Sequence, residues 1–465
     1  ASTYFKSLND IWHTTNGAGA SNRWVPLAER AGVVPGTDYL PSEIQPLSQH
    51  DFGAYAMASF GTPEGAEGMR LSGNIGVRYV QTGTVSEGNI GVPTNAALGI
   101  TSPYDDVFDT NGNLVTAGRC APRVPVGAPV GTPAVRPGGI CTIGAAAYGQ
   151  LQQWANGAAF YDAARNDYSY WLPSLNLRLQ ATDQLVFRAA ASKVLTRPDN
   201  AYIRNYINGG VDSGTGSIVV SAGNPFLKPA TAWQFDLTAE WYFSRVGSLT
   251  FNLFYKDVAN FFYQSPVERD ITNNGITQTV VIRGPKNYEE HGKIKGFEVA
   301  YQQTFDFLPG LLSGLGVNAN YSYIESKGLP NAFLNGGNLP NRSTVAPAGN
   351  MPLEGLSKHN ANVAVFYEKG PVSLRAAYNW RSRFLLTVTD VIFPYYSIFN
   401  EPTGQLDASA FFNVTKNIKV GVQGVNLLNE VTKTSQAYTG DPNVLAPRSY
   451  FMNDRRFSFI LRGNF

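Results

Sequence analysis

The sequence predicts an all-β protein, a transmembrane antiparallel β-barrel wall of about 13 strands, on three observations. Apolar and polar residues alternate in run after run, the mark of strands with one apolar face. The connections between runs are alternately short and long. Charged residues make up only 15% of the chain, against the roughly 25% usual in soluble domains.

Taken in order, DFGAYAMASF (51–60) pairs through GTPEGAEG with MRLSGNIGVRYV, and LPSLNLRLQ pairs through ATDQ with LVFRAAASK. AWQFDLTAEWYF pairs through SRVG with SLTFNLFYKDV, and GFEVAYQQTF pairs through LPGLLSG with LGVNANYSYI. NVAVFY turns at EKGP into VSLRAAYNWRSRF, where Leu374, Ala376, Tyr378 and Trp380 oppose Ser373, Arg375, Ala377, Asn379 and Arg381. GQLDASAFF turns at TKN into NIKVGVQGVNLL, a tight hairpin. The chain closes on RRFSFILRGNF, in which Phe457, Phe459, Leu461 and Phe465 alternate with more polar neighbours. Several runs exceed the roughly 9 to 11 residues that a tilted membrane strand needs.

The long connections fall at about 83–166, 196–230, 264–290, 327–357, 388–402 and 429–450, with the first the longest. Short turns on one side and long loops on the other predict an outer-membrane barrel with periplasmic turns and extracellular loops. Residues 1–50, broken by Pro and Gly, read as an extracellular loop region, and 51–465 as barrel strands with their loops. A soluble sandwich or propeller also offers many alternating strands. Strand length, the regular order of connections and aromatics near strand ends weigh against it.

Composition narrows the function. Aromatics reach 12%, with 47 glycines, 24 tyrosines and 27 phenylalanines, the palette of twisted strands and interfacial girdles. Mean hydropathy is −0.17, and no apolar run approaches the length of about 20 residues that a membrane helix needs. Lys and Arg number 36 against 34 Asp and Glu, with neither sign gathered into a block, so nothing points to nucleic acid. Cys120 and Cys141, the only cysteines, lie in one Gly/Pro-rich stretch. They read as a loop-closing disulfide in an oxidising compartment, with two free thiols as the alternative.

No catalytic residue is assigned. His13, His50, His291 and His359 are scattered, and no nucleophile elbow, HExxH or Walker motif appears. Glu289 and Glu290 read as a solvated loop end. DDVFDTNGNL (105–114) lacks the sixth-position Gly and closing Glu of a calcium loop and reads as an Asn-Gly turn. No metal or cofactor is implied. Asn176, Arg178, Arg188, Gln234, Asp236, Glu240, Asn252 and Asn318 fall on the polar face, as do Asn320, Arg375, Asn379, Arg381, Gln405, Asp407, Gln423 and Arg456. Candidate ligand contacts are Tyr202, Arg204, Asn205 and Tyr206, with Arg381, Arg383, Phe384, Tyr395 and Tyr396. There, aromatic faces sit beside hydrogen-bond donors in a way that suits sugars or aromatic chelates, and equally suits loop packing.

Six ordered segments carry a resemblance. They are YSYWLPSLNLRLQATDQLVFRAAASKVLTRPD (168–199), GNPFLKPATAWQFDLTAEWYF (223–243), LTFNLFYKDVANFF (249–262), KIKGFEVAYQQTFDFLPG (293–310), GQLDASAFFNVTKNIKVGVQGVNLLNE (404–430) and RRFSFILRGNF. Together they cover most of the chain after residue 168 and resemble the TonB-dependent receptors of Gram-negative outer membranes, particularly a branch common in carbohydrate-scavenging proteobacteria. The resemblance implies a barrel of about 22 strands around a plug domain, of which this chain supplies the C-terminal part without the plug. It implies that Phe465 is the signal read by the barrel-assembly machinery. Counting back from Phe465 makes DFGAYAMASF about the tenth strand and puts residue 1 in an extracellular loop. The expectation is a receptor cut in that loop, with an N-terminal portion supplying plug, energy-coupling box and about nine strands.

The partners implied are that portion, the TonB–ExbB–ExbD energy system acting through it, and outer-membrane lipid and lipopolysaccharide. The expected function is energised import of a scarce nutrient, an oligosaccharide or siderophore-type ligand. The alternative is a structural barrel whose loops bind a partner or surface complex.

Overall fold

Thirteen strands follow one another as an unbroken antiparallel meander, each hydrogen-bonded to the next. They are β1 (Leu47–Gly61), β2 (Arg70–Gly91), β3 (Ala159–Gln180), β4 (Leu185–Thr196), β5 (Ala230–Trp241), β6 (Ser248–Ala259), β7 (Gly292–Thr304), β8 (Leu315–Lys327), β9 (His359–Lys369), β10 (Val372–Arg381), β11 (Thr403–Asn413), β12 (Ile418–Val425) and β13 (Arg456–Gly463). The full sheet has 17 strands; removing the four that belong to two hairpins in the connections leaves these 13. The structure is a computed structural model and describes residues 33–39, 43–63, 67–211, 218–328, 352–387, 397–437 and 443–464. Phe465, Tyr395, Tyr396 and residues 1–32 lie outside the described residues.

Register fixes the faces, because a slip of one residue would exchange them. Asn320, Asn362, Asn379 and Gln405 are direct cross-strand neighbours in one row over β8 to β11. One residue away, Ala319, Val363, Tyr378 and Leu406 form the corresponding row on the other face. That second face continues through Leu374, Ala410, Val422 and Phe459. It is apolar and bare: Phe459 is 89% and Leu461 75% exposed. Exposed apolar area of this extent is characteristic of a surface that meets lipid.

Glycines let aromatic rings lie flat on the sheet. A Cβ at Gly421 would meet the ring of its cross-strand partner Phe411 at 2.1 Å, and one at Gly316 would meet Phe366 at 2.3 Å.

The short connections are 62–69, 181–184, 242–247, 305–314, 370–371 and 414–417, and the long ones alternate with them. The long ones are more ordered than the sequence suggests. β2 and β3 are 22 residues each and stay paired as far as Gly91 opposite Ala159, so the first long connection is 92–158 and not 83–166. Within it lies a helix, α1 (Ala145–Trp154), in an Ala-rich segment. The connection between β6 and β7 is a long hairpin, Phe262–Asn273 with Ile276–Asn287. It turns on Asn274 (φ 50°) and Gly275 (φ 72°), left-handed positions that Asn and Gly tolerate. The connections after β10 and β12 join in a four-stranded sheet of Phe384–Thr387, Ile398–Asn400, Val431–Gln436 and Ala446–Met452.

Candidate ligand-facing site

Two structures stand at the long-connection end: a cap with its own core, and a polar cleft in the wall.

The cap begins with apolar residues that a simple loop would have no reason to carry. Leu98, Ile100, Cys120, Cys141, Tyr148 and Trp154 are all buried in one cluster. Cys120 and Cys141 are bonded, with their Cα atoms 5.3 Å apart, as the sequence predicts. The Tyr104 hydroxyl donates to the Cys141 carbonyl at 2.7 Å, and the Tyr148 hydroxyl to the Ser102 carbonyl at 3.0 Å. Arg136 packs over the Tyr104 ring at 4.9 Å and pairs with Asp105 at 2.5 Å, while Arg123 pairs with Asp106 at 2.5 Å. Asp109 accepts from the backbone N–H of Asn111 and of Asn113, both at 2.8 Å, ahead of Gly112 at φ 82°. This is the tight turn expected for DTNGN.

The first cap connection is tied to the hairpin between β6 and β7. Trp154 Nε1 donates to the Ile271 carbonyl at 2.9 Å, and Asn273 Nδ2 donates to the Trp154 carbonyl at 2.6 Å. The candidate residues 202–206 serve the same assembly. Asp199 caps a short helix, α2 (Asn200–Ile203), by accepting from the Ala201 N–H at 2.7 Å. Buried Asn205 takes its backbone N–H to Ser86 Oγ at 2.9 Å and its amide to Asp162 Oδ2, also at 2.9 Å. Tyr202 meets Phe262 edge-on at 6.5 Å, and Arg204 stacks over Tyr206 at 5.1 Å. The structure therefore gives these four side chains packing partners within the loops.

The cleft, of about 650 Å³, opens on the polar face over β9 to β11 and the start of the connection after β12. Its lining includes Asn360, Asn362, Asn379, Gln405, Asn426 and Asn453. Asn362 Nδ2 donates to Asn320 Oδ1 at 2.7 Å, which orients that amide, while Asn379 and Gln405 are exposed into the cleft. Arg381 and Arg456 are balanced there by Glu430 and Asp454. Asn426, left-handed at φ 57°, turns the chain after β12. Its N–H donates to Asp407 Oδ1 and its own Oδ1 accepts from the Glu430 N–H, both at 2.8 Å.

Arg381 anchors the rim by donating to Ser357 Oγ at 2.8 Å and the Gly355 carbonyl at 2.9 Å, with Phe384 under its guanidinium at 3.9 Å. Arg383 donates to Glu401 Oε2 at 3.0 Å, fixing the edge of the four-stranded sheet. Arg381, Arg383 and Phe384 thus cluster beside the cleft. Among the described residues no hydrogen bond or ring contact joins them to 202–206. Sequence reasoning missed Asn360, Asn362, Asn426 and Asn453 as a set, although the spacing of Asn360, Asn362 and Asn379 on one face was available as a signal.

The family of TonB dependent receptor-like β-barrels matches residues 3–427. This chain belongs to the TonB-dependent receptor family. Its place is the outer membrane, and the family is one of receptors and transporters rather than enzymes. No curated protein matches the receptor chain. Among solved structures, it is similar to a ferric enterobactin receptor mutant of Pseudomonas aeruginosa in complex with enterobactin, at 14% identity, TM-score 0.49, covering 90% of this chain and 54% of that one. A ferric-catecholate import receptor of E. coli K12 gives 15% identity and TM-score 0.48, covering 90% and 44%. A siderophore receptor of Acinetobacter baumannii gives 13% and 0.43, covering 83% and 51%. The chain spans about half the length of these structures, and the assignment rests on the family match.

Proposed function

We propose that this chain forms part of the wall of an energised outer-membrane importer. In this reading the polar face lines the lumen, the apolar face meets lipid, and the long connections stand outside the cell. Among the described residues β1 pairs only with β2 and β13 only with β12. Unpaired edge groups in lipid cost several kcal/mol each, so further strands complete the barrel. An N-terminal portion, joined covalently or held as a second chain by ladder hydrogen bonds, supplies those strands, the plug and the coupling to the TonB–ExbB–ExbD system.

The observation that carries the substrate class is the cleft. Its amide row offers donors and acceptors together, and its charges balance, which favours a neutral, hydroxyl-rich ligand over an anionic chelate. An oligosaccharide is the preferred substrate and a siderophore-type chelate the competing one. Uptake of radiolabelled oligosaccharides and of radio-iron siderophores, by cells with and without the receptor and with and without a protonophore, separates them. Receptor-dependent, protonophore-sensitive sugar uptake is expected. Absence of any receptor-dependent uptake would favour a surface-binding barrel.

A further inference from the structure

The cleft over β9 to β11 is rich in amides, and their internal hydrogen bonds run almost all one way. Asn360 Nδ2 donates to the Ser357 carbonyl at 3.2 Å, and Asn362 Nδ2 to Asn320 Oδ1 at 2.7 Å. Gln405 Nε2 donates to both oxygens of Asp407, at 2.9 and 3.2 Å. Asn426 Nδ2 donates to the Asn453 carbonyl, and the Arg381 guanidinium to Ser357 and Gly355. Each of these bonds draws on the donors of the cleft. Among the described residues nothing donates to Asn360 Oδ1, Asn362 Oδ1 or Gln405 Oε1, although an amide oxygen can accept twice. Glu430 and Asp454, also in the lining, add acceptors only when ionised, and Arg456 adds donors only. Asn379, exposed and without a side-chain hydrogen bond among the described residues, offers both. What remains for a ligand is an excess of acceptors.

The register gives these groups a line. Asn362, Asn379 and Gln405 are successive cross-strand neighbours, so they follow one another from β9 to β11. At an inter-strand spacing of about 4.8 Å the three cover roughly 10 Å, which a disaccharide can span. Toward the short turns the next cross-strand pair is Ala364 with Ala377, whose small side chains leave a ledge under the amides. On the other side stand Asn360 and Arg381.

We propose that the cleft selects its ligand by hydroxyl hydrogens: a neutral glycan, a disaccharide or longer, lies along this row and donates to Asn362 Oδ1 and Gln405 Oε1. Asn379, between them, gives and takes a hydrogen bond with the same sugar. This deepens the import reading and rests on its choice of an oligosaccharide. A ligand that strips water from the amide oxygens without bringing O–H or N–H groups leaves them unpaired, which is costly. A ferric chelate has that fault, since its ligating oxygens are deprotonated and turned to the iron. A per-O-methylated glycan shares it: every oxygen stays and every hydroxyl donor is gone.

The test measures binding to the full receptor in detergent by isothermal titration. The probes are a panel of di- to tetrasaccharides of glucose, xylose, mannose, galactose and N-acetylglucosamine, the per-O-methylated form of each binder, and ferric enterobactin. At least one unmodified sugar is expected to bind, and its per-O-methylated form to bind about tenfold or more weaker. Asn362→Leu and Gln405→Leu each remove an acceptor and are expected to weaken the unmodified sugar by about tenfold. Asn362→Asp keeps an acceptor in the same place, because Asn320 can turn its amide to donate, and should stay within about threefold of wild type. That variant separates a lost hydrogen bond from a merely altered surface, and heat-modifiable migration on electrophoresis shows each variant folded. Equal binding of the methylated sugar, leucine variants that bind as wild type, or equal losses in Asn362→Asp and Asn362→Leu would overturn the proposal. So would tighter binding of ferric enterobactin than of any sugar, or no sugar bound at all. Energised uptake of the bound sugar by cells is read separately. Binding without receptor-dependent uptake removes the import reading and leaves the cleft, whereas uptake unchanged in both leucine variants removes the cleft and leaves import.

Discussion

Trp154 and Asn273 hold two long connections together: the Trp154 carbonyl accepts from the Asn273 amide at 2.6 Å, while the indole itself is 1% exposed. Residues 119 apart in sequence are thereby made one cap. Truncating a buried Trp costs about 3 to 5 kcal/mol. Trp154→Ala is therefore expected to raise hydrogen exchange throughout 92–158 and in the 262–287 hairpin while leaving β9 to β13 protected. Unchanged exchange in the cap would contradict the shared core.

The disulfide should matter for the same cap. Closing a loop of this size restricts the unfolded chain by about 3 kcal/mol. Intact-mass analysis without reductant is expected to show no alkylation at Cys120 or Cys141. Cys120→Ser/Cys141→Ser should become sensitive to protease between 92 and 158 without loss of barrel assembly.

Acid should loosen one corner in a defined window. Arg123 beside Asp106, helped by the Gly118 N–H, lowers that carboxyl from 3.8 to about 2. A depressed carboxylate contributes stability that is complete above its unfolded value and lost as pH falls through the folded one. Protection of 105–123 should hold down to about pH 4 and decline toward about pH 2, whereas Asp106→Asn should remove that dependence. A flat profile in the wild type would contradict the pairing.

The two faces of the wall should differ in tolerance. Arg at Leu374 or Val422 is expected to cost about 2 to 4 kcal/mol if near mid-membrane, and Arg at Ser373 or Gln423 close to nothing. Refolding titrations into lipid measure both sets.

The wall was legible in the sequence because strand alternation is local: a period of two is visible in ten residues, as in VSLRAAYNWR, and the register then follows from turns such as EKGP. The cap was not, because its core joins residues 37 and 46 positions apart, such as Tyr104 with Cys141 and Tyr148 with Ser102, and its tie to the next hairpin spans 117, so Trp154 carries no local sign of Ile271. One local signal was passed over: Asn274–Gly275 is a hairpin turn, and the alternating runs beside it are the strands. Tyr202, Arg204, Asn205 and Tyr206 read in the sequence either as a ligand face or as loop packing, because both uses draw on the same residue types. The positions of Ser86, Asp162 and Phe262, which give Asn205 and Tyr202 their loop partners, are set by the fold and carry no local sign in the sequence.

The central claim, a wall with lipid on one face and a ligand-bearing lumen on the other, is tested most directly by two adjacent residues of β10. Both cysteines of the chain are held in the disulfide, so an introduced thiol is this chain's only free one. Asn379→Cys, on the polar face in the cleft, should react in whole cells with a charged, membrane-impermeant maleimide, and the transported oligosaccharide should slow that reaction. Tyr378→Cys, on the apolar face, should react only with a lipid-soluble reagent and be indifferent to the sugar. Equal labelling of the two positions by the charged reagent, or no protection of Asn379→Cys by any imported ligand, would contradict the account.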